Sequence, residues 1–269
     1  MRLNSGARTL GLALGLAVLL SLGAAAALVL IGQRPDAPDE SLLRVQRSGR
    51  LVVGIDPSYP PFESLSPQGT LQGYDVDLAQ AIADRLSVQP VFVSLDVGGI
   101  YEAVMAGKLD VAISSLAPAP EYTERLSFSH AYFNAGQVIV VRGNGEGVRE
   151  LRDLDGQVVG VEASSEGDVR LRELAPQVGR LDVHPYSSQE ALFDGFRRGE
   201  VTALVVDRVA AMMQAQREGG TVTDVPLSDE PFVIVSRRWD STLSSAIDQA
   251  LADLQKSGYL GGLEAKWLR

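Results

Sequence analysis

Two adjacent hydroxyl side chains, Ser114 and Ser115, are the first candidates for ligand chemistry in this sequence. They follow the short apolar run 110–113, which is typical of a buried strand in a parallel sheet. Pro118 and Pro120 come next and end regular structure. Ligands of open α/β sheets bind beyond the carboxyl ends of the strands. The pair therefore stands where a ligand would be met, although two serines can equally open a surface turn.

Other polar side chains follow other predicted strands. Asp56 and Tyr59 lie in a proline-stiffened loop after the apolar run 51–55, and Asp207 follows the run 201–206. The segment before Asp207 resembles the one before Ser114, because each has a helix end at glycine, one charge and a short buried strand. Two units built alike would face each other across a cleft, but such joints are also common in all α/β proteins.

Alternating strands and helices must position these groups. The first unit is predicted as strand 51–55, helix 75–86, strand 91–95, helix 100–106 and strand 110–113. After residues 137–142 and a polar, glycine-rich stretch, a second unit has strands 157–161, 181–184, 201–206 and 221–225 with helices 166–174, 188–198 and 208–217. Strand 232–236 and amphipathic helices 241–257 and 260–268 close the chain. This order predicts an α/β fold with parallel strands and right-handed crossovers.

Composition excludes several functional classes. The chain has 269 residues, 45% of them hydrophobic, which suffices for one large or two medium cores. It has no cysteine, which removes disulfides, thiolate catalysis and cysteine-based metal sites. The formal net charge of −10, with every acid after residue 35, argues against nucleic acid and anionic lipid as partners. Neither a metal nor a cofactor is predicted.

The N-terminal residues 1–35 contain an uncharged apolar run, 10–31, behind Arg2 and Arg8. The run is long enough to span a bilayer, for which about 20 residues suffice. Basic residues before it and acids after it predict that the rest of the chain is extracytoplasmic. The continuous apolar run favours an uncleaved anchor, and a cleavable signal peptide is the alternative. Residues 36–44 are predicted to be a short linker.

Several motifs together resemble a known family. They are Leu51 to Phe62 (LVVGIDPSYPPF), Gly73 to Leu86 (GYDVDLAQAIADRL), Ala106 to Ser115 (AGKLDVAISS), Leu126 to Ser129 (LSFS) before Tyr132-Phe133, Asp153 to Val161 (DLDGQVVGV) and Gly258-Tyr259 to Trp267. In this order they are similar to the polar-amino-acid solute-binding proteins of ABC importers, bacterial solute-binding family 3. The likeness covers about residues 45–269.

The resemblance implies a type II periplasmic-binding fold of two lobes, each a sheet flanked by helices, that closes on its ligand by hinge motion. Residues 45–135 and 232–269 would form lobe I, and residues 136–231 would form lobe II. The expected protein is a monomer that binds a small molecule without catalysis. It would hand an amino acid or a related amine to an ABC permease.

The family's ligand-binding residues can be carried over only where this sequence matches. The implied ligand contacts are Asp56 and Tyr59 from the first loop, Ser114 and Ser115 after the third strand, Ser165 and Glu166 at a helix N-terminus of lobe II, and Asp207, which would pair with an α-ammonium group.

Two departures concern the ligand's carboxylate. Tyr122 stands where the family has the arginine that clamps this group, and a tyrosine does not replace the charge of that planar bidentate donor. Glu166 stands where a hydroxyl helps to bind the carboxylate, and its charge repels an anion. The ligand is therefore expected to be cationic, with Tyr59 and Tyr122 offering aromatic faces. Alternatively, Glu166 points to solvent and serves the helix dipole.

Two other functions stay open. Dehydratases that act on prephenate-like acids share this fold, but they need cationic groups for two carboxylates and an acid or base. The two histidines, His130 and His184, are isolated in sequence, which disfavours catalysis. The sequence therefore predicts a binding protein rather than an enzyme. A ligand-sensing partner of a receptor is the remaining alternative.

Overall fold

The computed structural model describes residues 39–143, 147–215, 217–223 and 225–268. In it, apolar runs separated by glycines and polar turns form the strands of two mixed sheets. In chain order the strands are β1 (Arg50–Ile55), β2 (Ser58–Tyr59), β3 (Glu63–Leu65), β4 (Leu71–Gln72), β5 (Gln89–Ser94), β6 (Val111–Leu116), β7 (Leu126–Phe128), β8 (Phe133–Asn134), β9 (Gln137–Arg142), β10 (Val158–Glu162), β11 (Asp182–Tyr186), β12 (Ala203–Asp207), β13 (Gly220–Val222) and β14 (Pro231–Arg237).

The helices lie on the predicted helical segments, except for α1, which was not predicted. They are α1 (Ser41–Ser48), α2 (Tyr74–Leu86), α3 (Val97–Met105), α4 (Glu166–Leu174), α5 (Gln189–Arg198), α6 (Arg208–Gln214), α7 (Ser241–Lys256) and α8 (Tyr259–Trp267). Short 3₁₀ turns occur at Pro120–Tyr122, Leu151–Leu154 and Ala175–Gln177.

The two large sheets are built alike. The first sheet has the order β5-β1-β6-β14-β7, and the second has the order β11-β10-β12-β9-β13. In each, the first three strands are parallel, and the strand after them, β14 or β9, is antiparallel. Strands β6 and β12 thus occupy corresponding places, as the likeness of their sequences suggested. The antiparallel strands make both sheets mixed, whereas the sequence indicated only the parallel part. A smaller sheet, β2-β3-β4, was not predicted.

Each large sheet buries apolar side chains on both faces, as alternation along a strand requires. On the first sheet, Val111 and Ile113 of β6 join the cluster covered by α2, α7 and α8, whereas Ala112 joins the cluster covered by α3. The second sheet is covered by α5 and α6 on one face and by α4 on the other. The α/β fold with a helix-flanked sheet in each lobe is therefore present.

Two chain segments connect the sheets side by side. Ala135 donates its backbone N–H to the carbonyl oxygen of Glu230 at 2.9 Å, and the Asn134 side chain donates to Asp229 at 2.8 Å. Gly136 lies so close to the neighbouring segment that an added Cβ would be 1.9 Å from the carbonyl oxygen of Ser228. Only glycine allows this approach without displacement of the backbone.

The predicted apolar segment at residues 10–31 lies outside the described residues, as do residues 36–38 of the predicted linker. Within the described ranges, no helix is long and apolar enough to cross a membrane. The linker was predicted to end at residue 44, but α1 begins at Ser41. Val45 of this helix is buried in the core, and Arg44 forms an ion pair with Asp240 at 3.3 Å.

Candidate functional site

The serine pair lies inside a strand rather than after it, because β6 continues to Leu116. Ser114 is 3% exposed, and its hydroxyl accepts the backbone N–H of Asp56 at 2.9 Å. Ser115 has a positive φ of 49°, which turns its peptide N–H toward the carboxylate of Asp75 at 2.6 Å. These bonds join the ends of β1 and β6 to the start of α2.

Beneath the serines lies a buried pair of carboxyl groups, Glu63 and Asp75. Ser114 donates its hydroxyl to Glu63 Oε1 at 3.0 Å, and Ser115 Oγ lies 3.4 Å from Glu63 Oε2. Glu63 and Asp75 are also hydrogen-bonded to each other. Burial raises the pKa of both groups, and the neighbouring Asp75 charge raises the pKa of Glu63 further. One proton is therefore held between them at neutral pH.

The local sequence explains why these two acids meet. Gly73 has a φ of 139°, and an added Cβ there would be 2.0 Å from the carbonyl oxygen of Phe62. This close approach lets the first turn of α2 bond to the loop, with Asp75 N–H donating to the Phe62 carbonyl at 2.9 Å. Tyr132 donates its hydroxyl to Asp75 Oδ2 at 2.9 Å. The serine pair, the loop at Phe62 and the hydroxyl of Tyr132 thus hold the two acids in place.

Asp56 and Asp207 are both anchored at helix N-termini. Asp56 Oδ2 accepts the N–H of Val97, the first residue of α3, at 3.2 Å. Asp207 is the N-cap of α6, since its Oδ1 accepts the N–H of Ala210 at 2.8 Å. The second oxygen of Asp207 has one long contact, 3.5 Å from the amide nitrogen of Gln189. Each carboxylate keeps an oxygen with capacity for a ligand.

Tyr59 lies near carboxyl groups that come from both large sheets. Its ring stacks on Phe62 at 5.7 Å, and 43% of the residue is exposed. Burial raises the pKa of Tyr59, and the charges of Asp207, Glu63 and Glu230 raise it further. The phenol therefore stays neutral and lies within electrostatic range of carboxyl groups from both sheets.

Glu166 and Glu230 form a second pair of carboxyl groups. Glu166 was predicted as a site residue, and Glu230 was not. Glu166 begins α4, and Glu230 precedes β14 in the segment that connects the sheets. Their side chains hydrogen-bond, and this bond, burial and the charges of Glu166 and Asp207 raise the pKa of Glu230 to about 7. This site can therefore gain or lose a proton near neutral pH.

These groups surround a cavity of about 480 Å³, a size usual for small-molecule sites. Its lining consists of Asp56, Ser58, Tyr59, Glu63, Val97, Tyr101, Ser114, Ser115, Leu116, Ala117, Ala135, Asp207, Glu230 and Phe232. Four of these side chains are carboxyl groups, and none is lysine, arginine or histidine. Among the described residues, no group of three or more histidine, aspartate or glutamate side chains could hold a metal ion.

The structure brings five of the eight predicted contacts into this lining: Asp56, Tyr59, Ser114, Ser115 and Asp207. The other three lie outside it. Tyr122 stacks on the lining residue Tyr101 at 5.2 Å, and Glu166 bonds to the lining residue Glu230. Ser165 caps α4 by accepting the N–H of Asp168 at 3.1 Å. Ligand contact stays a prediction for all eight.

Sequence reasoning missed Glu63, Glu230 and Tyr101. Glu63 had a local signal, since it is a single acid directly after the aromatic end of the predicted first loop. Glu230 had none, because it reaches the cavity only through the return of the chain into β14. Tyr101 lies on the helix that follows β5, where the sequence indicated only an apolar face.

Comparison with known proteins places the chain in a group of binding proteins. It is 29% identical over 233 residues to the L-cystine-binding protein TcyJ of Escherichia coli strain K12, covering 85% of this chain and 86% of that protein. It is 26% identical to the histidine-binding periplasmic protein of Salmonella typhimurium strain LT2, covering 81% and 87%. Both relatives are named as binding proteins.

The solved structures agree. An ancestral cationic amino acid solute-binding protein, AncCDT-1, matches with a TM-score of 0.62 and 29% identity, covering 85% of this chain and all of that one. The two-lobe periplasmic-binding architecture expected from the motifs is thus confirmed. The family model of the bacterial extracellular solute-binding proteins, family 3, matches residues 51–269. The chain belongs to this family.

Proposed function

We propose that this protein is the extracytoplasmic solute-binding component of an ABC importer, which captures an amino acid or a related cationic amine and delivers it to a permease. The observation that carries this proposal is the cavity lined by Asp56, Glu63, Asp207 and Glu230 without a basic side chain. Carboxylates from both sheets attract a cation, and a partly desolvated cavity strengthens that attraction. The named relatives bind histidine, cystine and cationic amino acids.

Binding works by closure of the two lobes rather than by chemistry on the ligand. The ligand contacts Asp56 and the serine pair in lobe I, residues 45–135 with 232–269, and Asp207 in lobe II, residues 136–231. Simultaneous contact with both lobes stabilises the closed form, and the permease recognises that form. The paired connecting segments around Ala135 and Glu230 are the hinge in this proposal.

The N-terminal residues 1–35 keep the protein at the outer face of the cell membrane, or direct its export and are then removed. The acidic body faces away from the cytoplasm in either case. The test is fractionation of cells that express the chain, followed by mass measurement of its N-terminus. A cytoplasmic location would contradict this part of the proposal.

A thermal-shift screen of the purified full chain tests the ligand class. The panel contains arginine, lysine, histidine, polyamines, quaternary amines, glutamate, glutamine, cystine and prephenate. A ligand that binds only the folded state raises the melting temperature, with about 2.7 kcal/mol of stabilisation at a hundredfold excess over the dissociation constant. Cationic ligands are expected to give the shift.

Two results would contradict the proposal in different ways. A shift only with glutamate or with neutral amino acids would retain the transport role and reject the cationic cavity. Stabilisation by prephenate followed by its turnover would reject the binding role itself.

A further inference from the structure

We infer that the preferred ligand is a small diamine or polyamine that carries no carboxylate group, rather than an amino acid. This inference rests on the proposed function and names the substrate class of the same cavity. Three features of the described residues support it: the serine hydroxyls hydrogen-bond to Glu63 and Asp75, the first turn of α4 carries the acids Glu166 and Asp168, and the carboxyl groups that line the cavity come from both large sheets.

The serine hydroxyls are already committed to the protein. Each hydroxyl has one proton to donate, and Ser114 directs its proton to Glu63 Oε1 at 3.0 Å. Ser115 Oγ contacts Glu63 Oε2 at 3.4 Å and Asp75 Oδ2 at 3.3 Å. The Ser115 peptide N–H is likewise bound to Asp75 at 2.6 Å. The Glu63–Asp75 pair thus fills the place where these donors could hold a ligand carboxylate.

The N-terminus of α4 is also supplied with internal acceptors. Ser165 Oγ accepts the N–H of Asp168 at 3.1 Å, and Asp168 Oδ2 accepts the N–H of Ser164 at 2.9 Å. Asp168 is 4% exposed and forms an ion pair with Arg172 at 2.7 Å. Glu166 adds a carboxyl group at the same helix end. A ligand carboxylate would meet repulsion here in place of the free donors that a helix N-terminus can offer.

Within the described part of the chain, the cavity lining contains no arginine that could bind a carboxylate in place of the serine hydroxyls and the N-terminus of α4. Tyr122 stands at the position where the family has the arginine that binds the ligand's carboxylate. Its ring stacks on that of Tyr101, with the centroids 5.2 Å apart and the rings inclined by 20°. Tyr101 in turn donates its hydroxyl to the carbonyl oxygen of Ala117 at 3.2 Å. The ring of Tyr101 lines the cavity, and Tyr122 stacks on it from outside the lining. An aromatic face of this kind suits an aliphatic chain or a cation, but not a carboxylate.

The cavity offers two cation sites instead. The first is Asp56, which follows β1. The second is Asp207, at the end of β12, together with Glu230 of the connecting segment and its partner Glu166. Tyr59 lies within electrostatic range of Asp207, Glu63 and Glu230, so its ring can face the alkyl chain or an ammonium group between the sites. A ligand with an amine at each end satisfies both sites.

The test compares three pairs of ligands that differ only by the α-carboxylate: agmatine with arginine, cadaverine with lysine, and putrescine with ornithine. Dissociation constants are measured by titration calorimetry with the purified full chain. Because an unpaired carboxylate among carboxyl groups is disfavoured, we expect the amine of at least one pair to bind about tenfold or more tightly than its amino acid.

Each other outcome overturns the inference. Tighter binding of arginine, lysine or ornithine than of the corresponding amine would show that the cavity accepts a carboxylate, and would leave the proposed function intact. Binding of neutral or acidic amino acids alone would overturn the inference and the cationic cavity, and would retain the transport role. Failure of all three amines to bind would also reject the diamine class.

Discussion

The carboxyl groups of Glu63 and Asp75 share a hydrogen bond directly beneath Ser114 and Ser115, although Glu63 begins β3 and Asp75 lies in α2. Burial keeps a proton between them, so the floor of the cavity carries one negative charge rather than two. Asp75 Oδ1 is buried and has no hydrogen-bond partner among the described groups.

This relationship predicts different effects for two substitutions of Glu63. Glu63→Gln keeps a neutral donor and acceptor and should change the free energy of unfolding by less than about 1 kcal/mol. Glu63→Ala removes the partner of Ser114 and of Asp75 and should cost about 1–3 kcal/mol. Chemical denaturation at pH 7 measures both. Equal destabilisation by the two variants would contradict the role of Glu63 as a neutral donor and acceptor.

Cation affinity should depend on pH through Glu230. Its pKa, raised to about 7 by the hydrogen bond with Glu166 and by burial, predicts tighter binding of a cationic ligand at pH 8 than at pH 6. Glu230→Gln should bind more weakly and lose this dependence. Glu124→Gln, at an exposed residue outside the cavity lining, is the control and should retain it. A pH dependence that survives in Glu230→Gln would assign it to another group.

Stability of the ligand-free protein should change with pH in the opposite direction. The folded state holds a proton on Glu230 that the unfolded chain releases above the ordinary glutamate pKa of 4.5. The contribution of this group to stability is therefore fully present below pH 4.5 and is lost as the pH rises through about 7. Urea denaturation of the wild type and of Glu230→Gln between pH 5 and pH 8 checks the sign. A wild-type loss that Glu230→Gln reproduces would contradict it.

Asp207 has a structural and an electrostatic role that two variants separate. Asp207→Asn keeps the oxygen that caps α6, so stability should change by less than about 0.5 kcal/mol. Loss of the charge should weaken binding of a cationic ligand about ten- to a hundredfold. Asp207→Ala should lose affinity and also about 1 kcal/mol of stability. Calorimetric titration and denaturation measure the two effects. Unchanged affinity in Asp207→Asn would remove Asp207 from the site.

The connecting segments should tolerate no side chain at Gly136. Gly136→Ala would place Cβ 1.9 Å from the Ser228 carbonyl oxygen, and we expect a loss of about 1–3 kcal/mol as the two segments separate. The matched control is Gly261→Ala in α8, where an added Cβ has no neighbour within 4 Å. Helix propensity predicts a gain of about 0.5–1 kcal/mol there. A neutral Gly136→Ala variant would show that the segments adjust freely.

Local sequence patterns were sufficient for the fold class and for most elements. The sequence predicted α4 at residues 166–174 with the bounds that the structure has. Pro57 marked the strand end at which Asp56 occurs, and Gly199 marked the helix end before the strand that leads to Asp207. Such signals depend on neighbours within one or two turns of chain, which a single sequence contains.

Only the tertiary structure decided how the cavity is charged. Glu63 meets Asp75 through the close approach of Gly73 to Phe62, and Glu230 meets Glu166 from a remote part of the chain. The antiparallel insertion of β14 beside β6 brings the connecting segment to the cavity. These contacts and the shared protons depend on distances and burial between remote segments. The sequence alone determined the strand ends and their acids, but it contained no measure of which acids would face each other.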